Sequence, residues 1–360
     1  TQSSKRRSAR RAGRLSGKIQ MPREVYIDPG IIDETGEICK SLHLDKKVLI
    51  VTGPNTYDIG AKQVINSLEK ADIQSEVKIV DDASYDSIEE VEELVTPETT
   101  ILGVGGGKVI DVAKLSSCNK GVYFVSMPTT ASHDGIASPL ASIKDSTTFT
   151  SAKAHAPIAV IADTNIIANS PFRLLSAGCA DLISNFTAVK DWELAHRLKH
   201  ESFSESAAAL SLMSANMITD NVDNIKAGLE ASARIVMKTL FSSGMAISIA
   251  GSSRPASGSE HMFSHALDKI LDKPALHGEQ CGIGTILMMY LYGGDWKFIR
   301  DSIKAVGAPI NAKQIGIAEE DIIEALVMAN EIRPERYTIL GDNGISREAA
   351  YELAYKTEVI

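Results

Sequence analysis

Cysteine is scarce and scattered. The chain of 360 residues carries four, Cys39, Cys118, Cys179 and Cys281, and no C-x-x-C pair. That spacing excludes a disulfide framework and a thiolate zinc finger, and it fits a reducing cytoplasm. Long apolar runs are missing too. The longest, around Ile283 to Tyr292, is too short to span a bilayer. The N-terminal stretch has no apolar segment of the signal-peptide kind. Aromatics are few, but the apolar fraction is ordinary, so a soluble globular protein with a substantial core is expected. Acid-free sequence is confined to one place. Seven of the 37 basic residues lie within positions 1–20, with no acid among them. That leaves 30 basic against 46 acidic residues in the remainder, a balance of −16. An acidic body argues against nucleic acid as the main partner, and the basic stretch reads as a disordered extension.

The chain length suggests two domains. In the first half, short β-rich runs alternate with helical patterns. Strands are expected at Val25–Ile27, Lys47–Thr52, Val77–Val80, Thr99–Val104 and Val122–Ser126, with helices at 57–70, 86–95 and 109–116 between them. This alternation predicts a mostly parallel, Rossmann-like sheet covered by helices on both faces. Segments 139–143, 147–150 and 158–161 read as strands that finish the sheet, with a hairpin around Lys144-Asp145. After Asp163 the pattern turns helical, at 176–200, 203–220, 222–250, 258–271, 278–291, 295–305, 319–328 and 346–356. The division expected is an extension over 1–20, a dinucleotide-binding α/β domain over 21–168, and an all-α domain over 169–360.

Ligands of such sheets bind at the carboxyl ends of strands. Gly105-Gly106-Gly107-Lys108-Val109 lies at such an end and runs into a helix. Glycines there let the backbone approach a phosphate, and the helix start offers N–H donors. A plain tight turn is the competing reading. The sequence is neither G-x-x-x-x-G-K-[ST] nor G-x-G-x-x-G, so a nucleoside triphosphatase is disfavoured while a dinucleotide stays open. The next strand ends in Pro128-Thr-Thr-Ala-Ser-His-Asp-Gly135. Its hydroxyl residues can line a cofactor groove, and Asp134 either holds a substrate hydroxyl or forms an Asx turn.

His261 and His265 are four apart and share one helix face, and His277 follows after Lys273-Pro274. Either they bind a metal or they are ordinary core and surface histidines. Asp181 and Asn185 lie one turn apart in an apolar neighbourhood, where a carboxylate must be paired or coordinated; helix capping is the alternative. Asp181, His261 and His277 together would give one hard oxygen and two imidazoles, an open three-ligand set suited to catalytic zinc. Ser252-Ser253-Arg254 is a cationic loop, read as either an anion site or plain surface.

Five motifs occur in order: Gly-Gly-Gly-Lys-Val-Ile-Asp (105–111), Pro-Thr-Thr-Ala-Ser-His-Asp-Gly (128–135), Gly-Cys-Ala-Asp (178–181), Gly-Ser-Glu-His-Met-Phe-Ser-His-Ala (258–266) and His-Gly-Glu-Gln (277–280). Together, over about residues 20–355, the chain resembles the sn-glycerol-1-phosphate dehydrogenase family. That family is the archaeal branch of the iron-containing alcohol dehydrogenase, glycerol dehydrogenase and dehydroquinate synthase superfamily. The resemblance implies an active site in a cleft between an α/β and a helical domain, and NAD(P)H-dependent reduction of dihydroxyacetone phosphate to sn-glycerol 1-phosphate, the root of archaeal ether lipids. It implies one zinc on Asp181, His261 and His277. It places Gly105, Gly106, Gly107, Lys108, Val109, Thr129, Thr130, Ala131, Ser132 and Ser138 against NAD(H) or NADP(H). It brings Asp134, Asp181 and His265 to the substrate and suggests a homo-oligomer, with an octamer as one form. The first twenty residues depart from the family.

Asp134 and His265 are the residues expected to act in catalysis. His265, one turn from His261, either relays the proton, through Asp134 and solvent, or orients the substrate. The phosphate is expected on Arg254, Ser252 and Ser253, with Asn185 and Lys108 as second choices. No acid stands at Thr52-Gly53-Pro54-Asn55 to repel a 2′-phosphate, so both coenzymes should serve. The readings in competition are a glycerol dehydrogenase for unphosphorylated substrate, a dehydroquinate synthase, and a non-catalytic nucleotide- or metal-binding scaffold.

Overall fold

The computed structural model describes residues 19–360 except 146 and 147, so the basic stretch through residue 18 lies outside the described residues. Eight strands form: β1 (Glu24–Asp28), β2 (Lys47–Thr52), β3 (Ser75–Ile79), β4 (Thr99–Gly105), β5 (Tyr123–Pro128), β6 (Leu140–Asp145), β7 (Thr148–Lys153) and β8 (Ala159–Asp163). Six of them make one sheet in the order β1-β8-β5-β4-β2-β3, parallel at every pairing. Helices α1 (Thr35–Ser41), α2 (Lys62–Lys70), α3 (Tyr85–Glu92) and α4 (Gly107–Lys120) accompany them. The central strands β2, β4 and β8 are buried almost throughout, which is why they read as unbroken apolar runs. Two aliphatic clusters flank the sheet, one with Val48, Ile50, Leu102 and Val104, the other with Leu49, Val51, Ile101 and Phe124. Alternate residues of β2 and β4 thus serve opposite faces.

The strands expected to finish the sheet divide. β8 enters it, between β1 and β5. β6 and β7 do not; they form a separate antiparallel pair. Ala141 and Ile143 pack with Val109, Ile110 and Ala113 of α4, so the hairpin covers a helix rather than extending the sheet. Alternation in sequence specifies a half-buried strand but not its partner.

Past the short α5 (Thr164–Ala168), the chain is helical: α6 (Phe172–Lys199), α7 (Glu205–Thr219), α8 (Glu230–Ala250), α9 (Ser259–Ile270), α10 (His277–Leu291), α11 (Trp296–Ala305), α12 (Glu319–Ile332) and α13 (Arg347–Lys356), with a single short turn of helix before α12. The helix expected over 222–250 is interrupted. Val222–Asn224 is a 3-10 turn, and Gly228 at φ 70° breaks the path before α8 begins. α8 is long and apolar enough to cross a membrane by length and composition, but most of it is buried inside the helical part. The largest core cluster joins Ala131, Ile136, Val160 and Ala162 of the first half to Leu182, Leu240, Phe263 and Ile283 of the helices.

Candidate metal and coenzyme site

In the sheet, β3 lies on one side of β2 and β4 on the other, so the order in which strands are added reverses between β2 and β4 while the strands stay parallel. A ligand crevice opens at such a reversal, and the triple glycine stands there. Thr52 Oγ1 donates to the Val104 carbonyl at 2.8 Å, tying the two strand ends together. Gly106 caps α4, and Gly105 is wedged against Val109 and Thr56, leaving no room for a side chain. Thr129 N–H bonds the Gly105 carbonyl at 3.0 Å, which brings the β5 loop alongside the glycines. Thr129 is buried, and its Oγ1 has no hydrogen-bond partner among the described residues. A buried hydroxyl left over beside a helix start and a glycine backbone suits a nucleotide. The ring of His133 covers Gly107, and its Nδ1 accepts from the Gly135 N–H at 2.9 Å. Sequence reasoning gave His133 no role.

The loop that follows is pinned from below. Lys114 of α4 is fully buried. Its ammonium donates to the carbonyls of Gly135 and Leu140, the latter at 2.6 Å, and pairs with Asp111 at 3.2 Å. Asp111 in turn accepts from the Ser142 N–H at 3.0 Å. Burial pulls the Lys114 pKa down, and Asp111 beside it pulls it back. This pair holds the segment carrying Asp134 and Ser138. Ser138 is buried and backs onto Gly244 of α8.

The helices converge through close backbone approaches. A Cβ at Gly278 would overlap the Ala177 carbonyl, and one at Gly178 would overlap the Ala131 carbonyl. The start of α10 therefore rests on α6, and α6 rests on the coenzyme loop. Arg173 clamps the same corner, donating through Nε and Nη2 to the Glu279 carboxylate at 2.6 and 2.7 Å.

These contacts assemble Asp181, His261 and His277. Asp181 Oδ1 stands 3.6 Å from His261 Nε2 and 3.7 Å from His277 Nε2. Both separations exceed a hydrogen bond. Zinc bonds of about 2.0–2.3 Å at tetrahedral angles imply donor–donor edges of roughly 3.3–3.6 Å. The spacing is that of ligands around one ion. Cys281, one turn after His277, belongs to the same group, and all four donor atoms lie within 4.8 Å of one another. Sequence reasoning missed it. Burial, and then the neighbouring imidazole charges, hold His261 and His277 well below the ordinary histidine range, so their lone pairs are free. Burial, and then the Asp134 charge, raise Asp181 well above the carboxylate range. A cation among these donors offsets both costs.

A second layer orients the first. His261 Nδ1 faces Glu260 Oε1 at 2.9 Å, and Glu260 also accepts from Gly258 N–H at 2.6 Å and Thr187 Oγ1 at 2.7 Å. Asp134 accepts from Ser243 Oγ at 2.9 Å, and Ser243 accepts from Asn185 Nδ2 at 3.1 Å. Asn185 spends its other amide hydrogen on the Ser211 carbonyl. Asn185 is thus linked to Asp134 through Ser243. His265 Nδ1 lies 3.4 Å from Asp268, and its ring centre is 5.8 Å from that of His277. Asp134 and His265 thus belong to separate hydrogen-bond chains.

Arg254 is held by a carboxylate. It is 2 % exposed and forms a two-pronged pair with Glu201, through Nε at 2.7 Å and through Nη2. Its Nη1 is buried with no hydrogen-bond partner among the described residues. Together with Ser252, Arg254 lines a cavity of about 500 Å³ with Arg336 and Lys199. Lys108 is exposed on the first turn of α4.

Comparison with known proteins agrees with this architecture. The sequence model for iron-containing alcohol dehydrogenases matches residues 26–171. A protein of Methanobrevibacter smithii named glycerol-1-phosphate dehydrogenase (NAD(P)+) is 79 % identical over 343 residues, covering 95 % of this chain and 99 % of the relative. Namesakes from Methanothermobacter thermautotrophicus and Thermococcus kodakarensis are 59 % and 53 % identical, each across 95 % of this chain and 99 % and 98 % of their own. Among solved structures, a probable glycerol dehydrogenase from Sinorhizobium meliloti superposes with a TM-score of 0.78 at 20 % identity, over 96 % of this chain and all of that one. The glycerol dehydrogenase of Schizosaccharomyces pombe gives 0.75 at 18 %, over 95 % and 92 %.

Proposed function

The chain belongs to the NAD(P)+-dependent glycerol-1-phosphate dehydrogenase family, and from that premise we propose that it reduces dihydroxyacetone phosphate to sn-glycerol 1-phosphate. The observation that carries the reading is the Asp181, His261 and His277 cluster, set beside the loop that holds Asp134 and faces the glycine turn. The division that goes with it is a coenzyme domain over 21–168 and a helical metal and substrate domain over 169–360.

The balanced reaction takes a hydride from NAD(P)H and a proton from solvent, and it releases NAD(P)+ and the secondary alcohol. Hydride reaching the C2 carbonyl carbon drives negative charge onto its oxygen. Zinc bound at the cluster supplies the electrostatic stabilisation of that charge. Asp181 Oδ1 and the Nε2 atoms of His261 and His277 are the donors that hold it. Glu260 takes the Nδ1 hydrogen of His261 and so keeps the Nε2 lone pair directed at the metal. Gly105, Gly106, Gly107, Lys108 and Val109 receive the pyrophosphate, and Thr129, Thr130, Ala131, Ser132 and Ser138 line the nicotinamide half. That grip fixes the hydride donor's position. Asp134, kept in place by Ser243, accepts a substrate hydroxyl. His265, backed by Asp268, delivers the product proton at the open side of the cluster. The product's stereochemistry suits a role in archaeal membrane lipid synthesis. A homo-oligomer is the assembly this reading carries with it.

NADH absorbance measured with dihydroxyacetone phosphate, with and without chelator, and followed by chiral analysis of the product, tests the proposal. Chelator-sensitive oxidation that yields the sn-1 isomer supports it. Equal or greater rates with unphosphorylated dihydroxyacetone would replace it with a glycerol dehydrogenase. Nicotinamide binding without oxidation would leave only a scaffold.

A further inference from the structure

Helix α12 ends at Ile332, and the chain then makes a tight turn, Arg333-Pro-Glu-Arg336, closed by the Arg336 N–H on the Arg333 carbonyl at 2.9 Å. Such a turn keeps its end Cα atoms within about 7 Å, so the two arginines are neighbours. The turn is fastened beside the helix that carries His261 and His265. Arg336 donates to the Ser257 carbonyl at 2.6 Å and to Ser253 Oγ at 2.9 Å, just before α9 begins. Three residues on, the Ile339 N–H donates to Asp191 Oδ1 at 2.7 Å, while Asp191 Oδ2 takes the Ser259 N–H and hydroxyl, both at 2.6 Å. One buried carboxylate thus pins the arginine segment to the first residue of α9, and α12 packs along the same helix.

Charge in this corner does not balance. Among the described residues, neither Arg333 nor Arg336 has a carboxylate within ion-pair distance, and the half-buried Arg333 side chain makes no hydrogen bond. Arg254 is paired with Glu201, yet its buried Nη1 has no partner there. Burial, and then the charges of Arg333 and Arg254, pull Arg336 down to about 9. After burial and His265, the charges of Arg333 and Arg336 also help to depress His261, so the arginines are felt at a metal ligand. Crowded guanidinium groups without counter-ions favour an anion, and their fork matches a phosphate.

We propose that Arg333 and Arg336 form the subsite for the substrate's phosphate, with Arg254 reinforcing the positive field behind them. This rests on the reading above that the substrate is a phosphate ester. Arg333 supplies the free fork, and Arg336, held by Ser253 and Ser257, supplies a fixed charge. A phosphate monoester is close to a dianion at neutral pH, so two guanidinium groups without carboxylates match its charge. A substrate lacking the phosphate leaves both uncompensated, which makes this turn the source of discrimination against unphosphorylated dihydroxyacetone.

The test compares two substrates in one variant. Arg333→Ala removes the free fork and breaks no side-chain hydrogen bond among the described residues. The ratio of kcat/KM for dihydroxyacetone phosphate to that for dihydroxyacetone should fall about 10–100-fold. Arg333→Lys, which keeps the charge but not the fork, should fall between. Inorganic phosphate should compete with dihydroxyacetone phosphate in the wild type, and calorimetry, which needs no turnover, should find it bound more weakly in Arg333→Ala by a similar factor. A loss shared equally by both substrates would mark a purely structural role and overturn the inference. So would inorganic phosphate that binds without competing, because that anion would sit apart from the substrate. Wild-type protein that binds phosphate through Arg333 but never oxidises NADH with dihydroxyacetone phosphate would instead overturn the reductase reading and leave the anion site standing.

Discussion

Glu260 stands directly behind His261, its Oε1 2.9 Å from the imidazole Nδ1. The carboxylate is fully buried and accepts two further hydrogen bonds, so it cannot swing away from the ring. Replacing it with glutamine turns an NH2 toward groups that are themselves donors. Glu260→Gln should weaken zinc binding by about 10–100-fold, read by competition against a chromophoric chelator, with the circular dichroism spectrum unchanged. Equal affinity would mean that His261 orients itself.

Removal of the metal should loosen the helical part as a whole, because the three ligands come from α6, α9 and α10. At a free zinc concentration of 1,000 Kd, linkage adds about 4 kcal/mol to stability. Chelation should therefore lower Tm by several degrees in the wild type and leave Asp181→Asn unmoved. Two curves that shift together would place the stabilising ion elsewhere.

Gly278 has no room for a side chain, since a Cβ would occupy the place of the Ala177 carbonyl. Gly278→Ala must push α10 off α6 and carry His277 away from Asp181. The expected cost is about 1–3 kcal/mol by urea unfolding, together with a drop in zinc affinity larger than that of Gly282→Ala. At Gly282 a Cβ would meet side chains alone, the Ala180 methyl at 3.0 Å and Ile303 at 3.6 Å.

Lys114 is a buried ammonium with one carboxylate and two carbonyls as partners. Lys114→Met keeps the aliphatic bulk but strands Asp111 and both carbonyls. The loss should be about 3–5 kcal/mol. Because the loop above it carries Asp134 and Ser138, KM for coenzyme and substrate should rise in whatever variant remains folded. A variant with wild-type stability and wild-type KM would remove Lys114 from this account.

The end of β2 offers Thr52, Gly53, Pro54 and Asn55, with no acid. Thr52 is occupied with Val104 and Thr56. Both NADH and NADPH should serve, with kcat/KM differing by less than about 100-fold, some 3 kcal/mol. A steeper preference would point to a discriminating residue outside this turn.

The alternation of buried strands and helices was legible because parallel strands covered on both faces are continuous apolar runs. The convergence of Asp181, His261 and His277 was legible because only a few residue types can serve as metal donors. Partnership was harder to see. β6 and β7 have strand-like sequences, but nothing local says that they cover α4. Helix α1, at seven residues, is too short for periodicity to declare it. Nothing in the sequence around Lys114 marks it as buried, since burial is a tertiary fact. Arg254 was assigned to phosphate by its nearness in sequence to α9. The fold sets two of its nitrogens on Glu201, a residue some fifty positions away, and leaves its buried Nη1 without a partner among the described residues. Cys281 stands at i, i+4 after His277, a spacing that the absence of cysteine pairs does not reveal.

The Ala131 carbonyl rests on Gly178, three residues before Asp181 on the same helix. The loop after β5 and the helix that carries Asp181 therefore share one point of bearing. Rotation of either half about the cleft must pivot at or lift off that point. The span across which the hydride travels is thus gauged by peptide backbone, and side-chain substitutions elsewhere in the cleft should alter occupancy far more readily than reach.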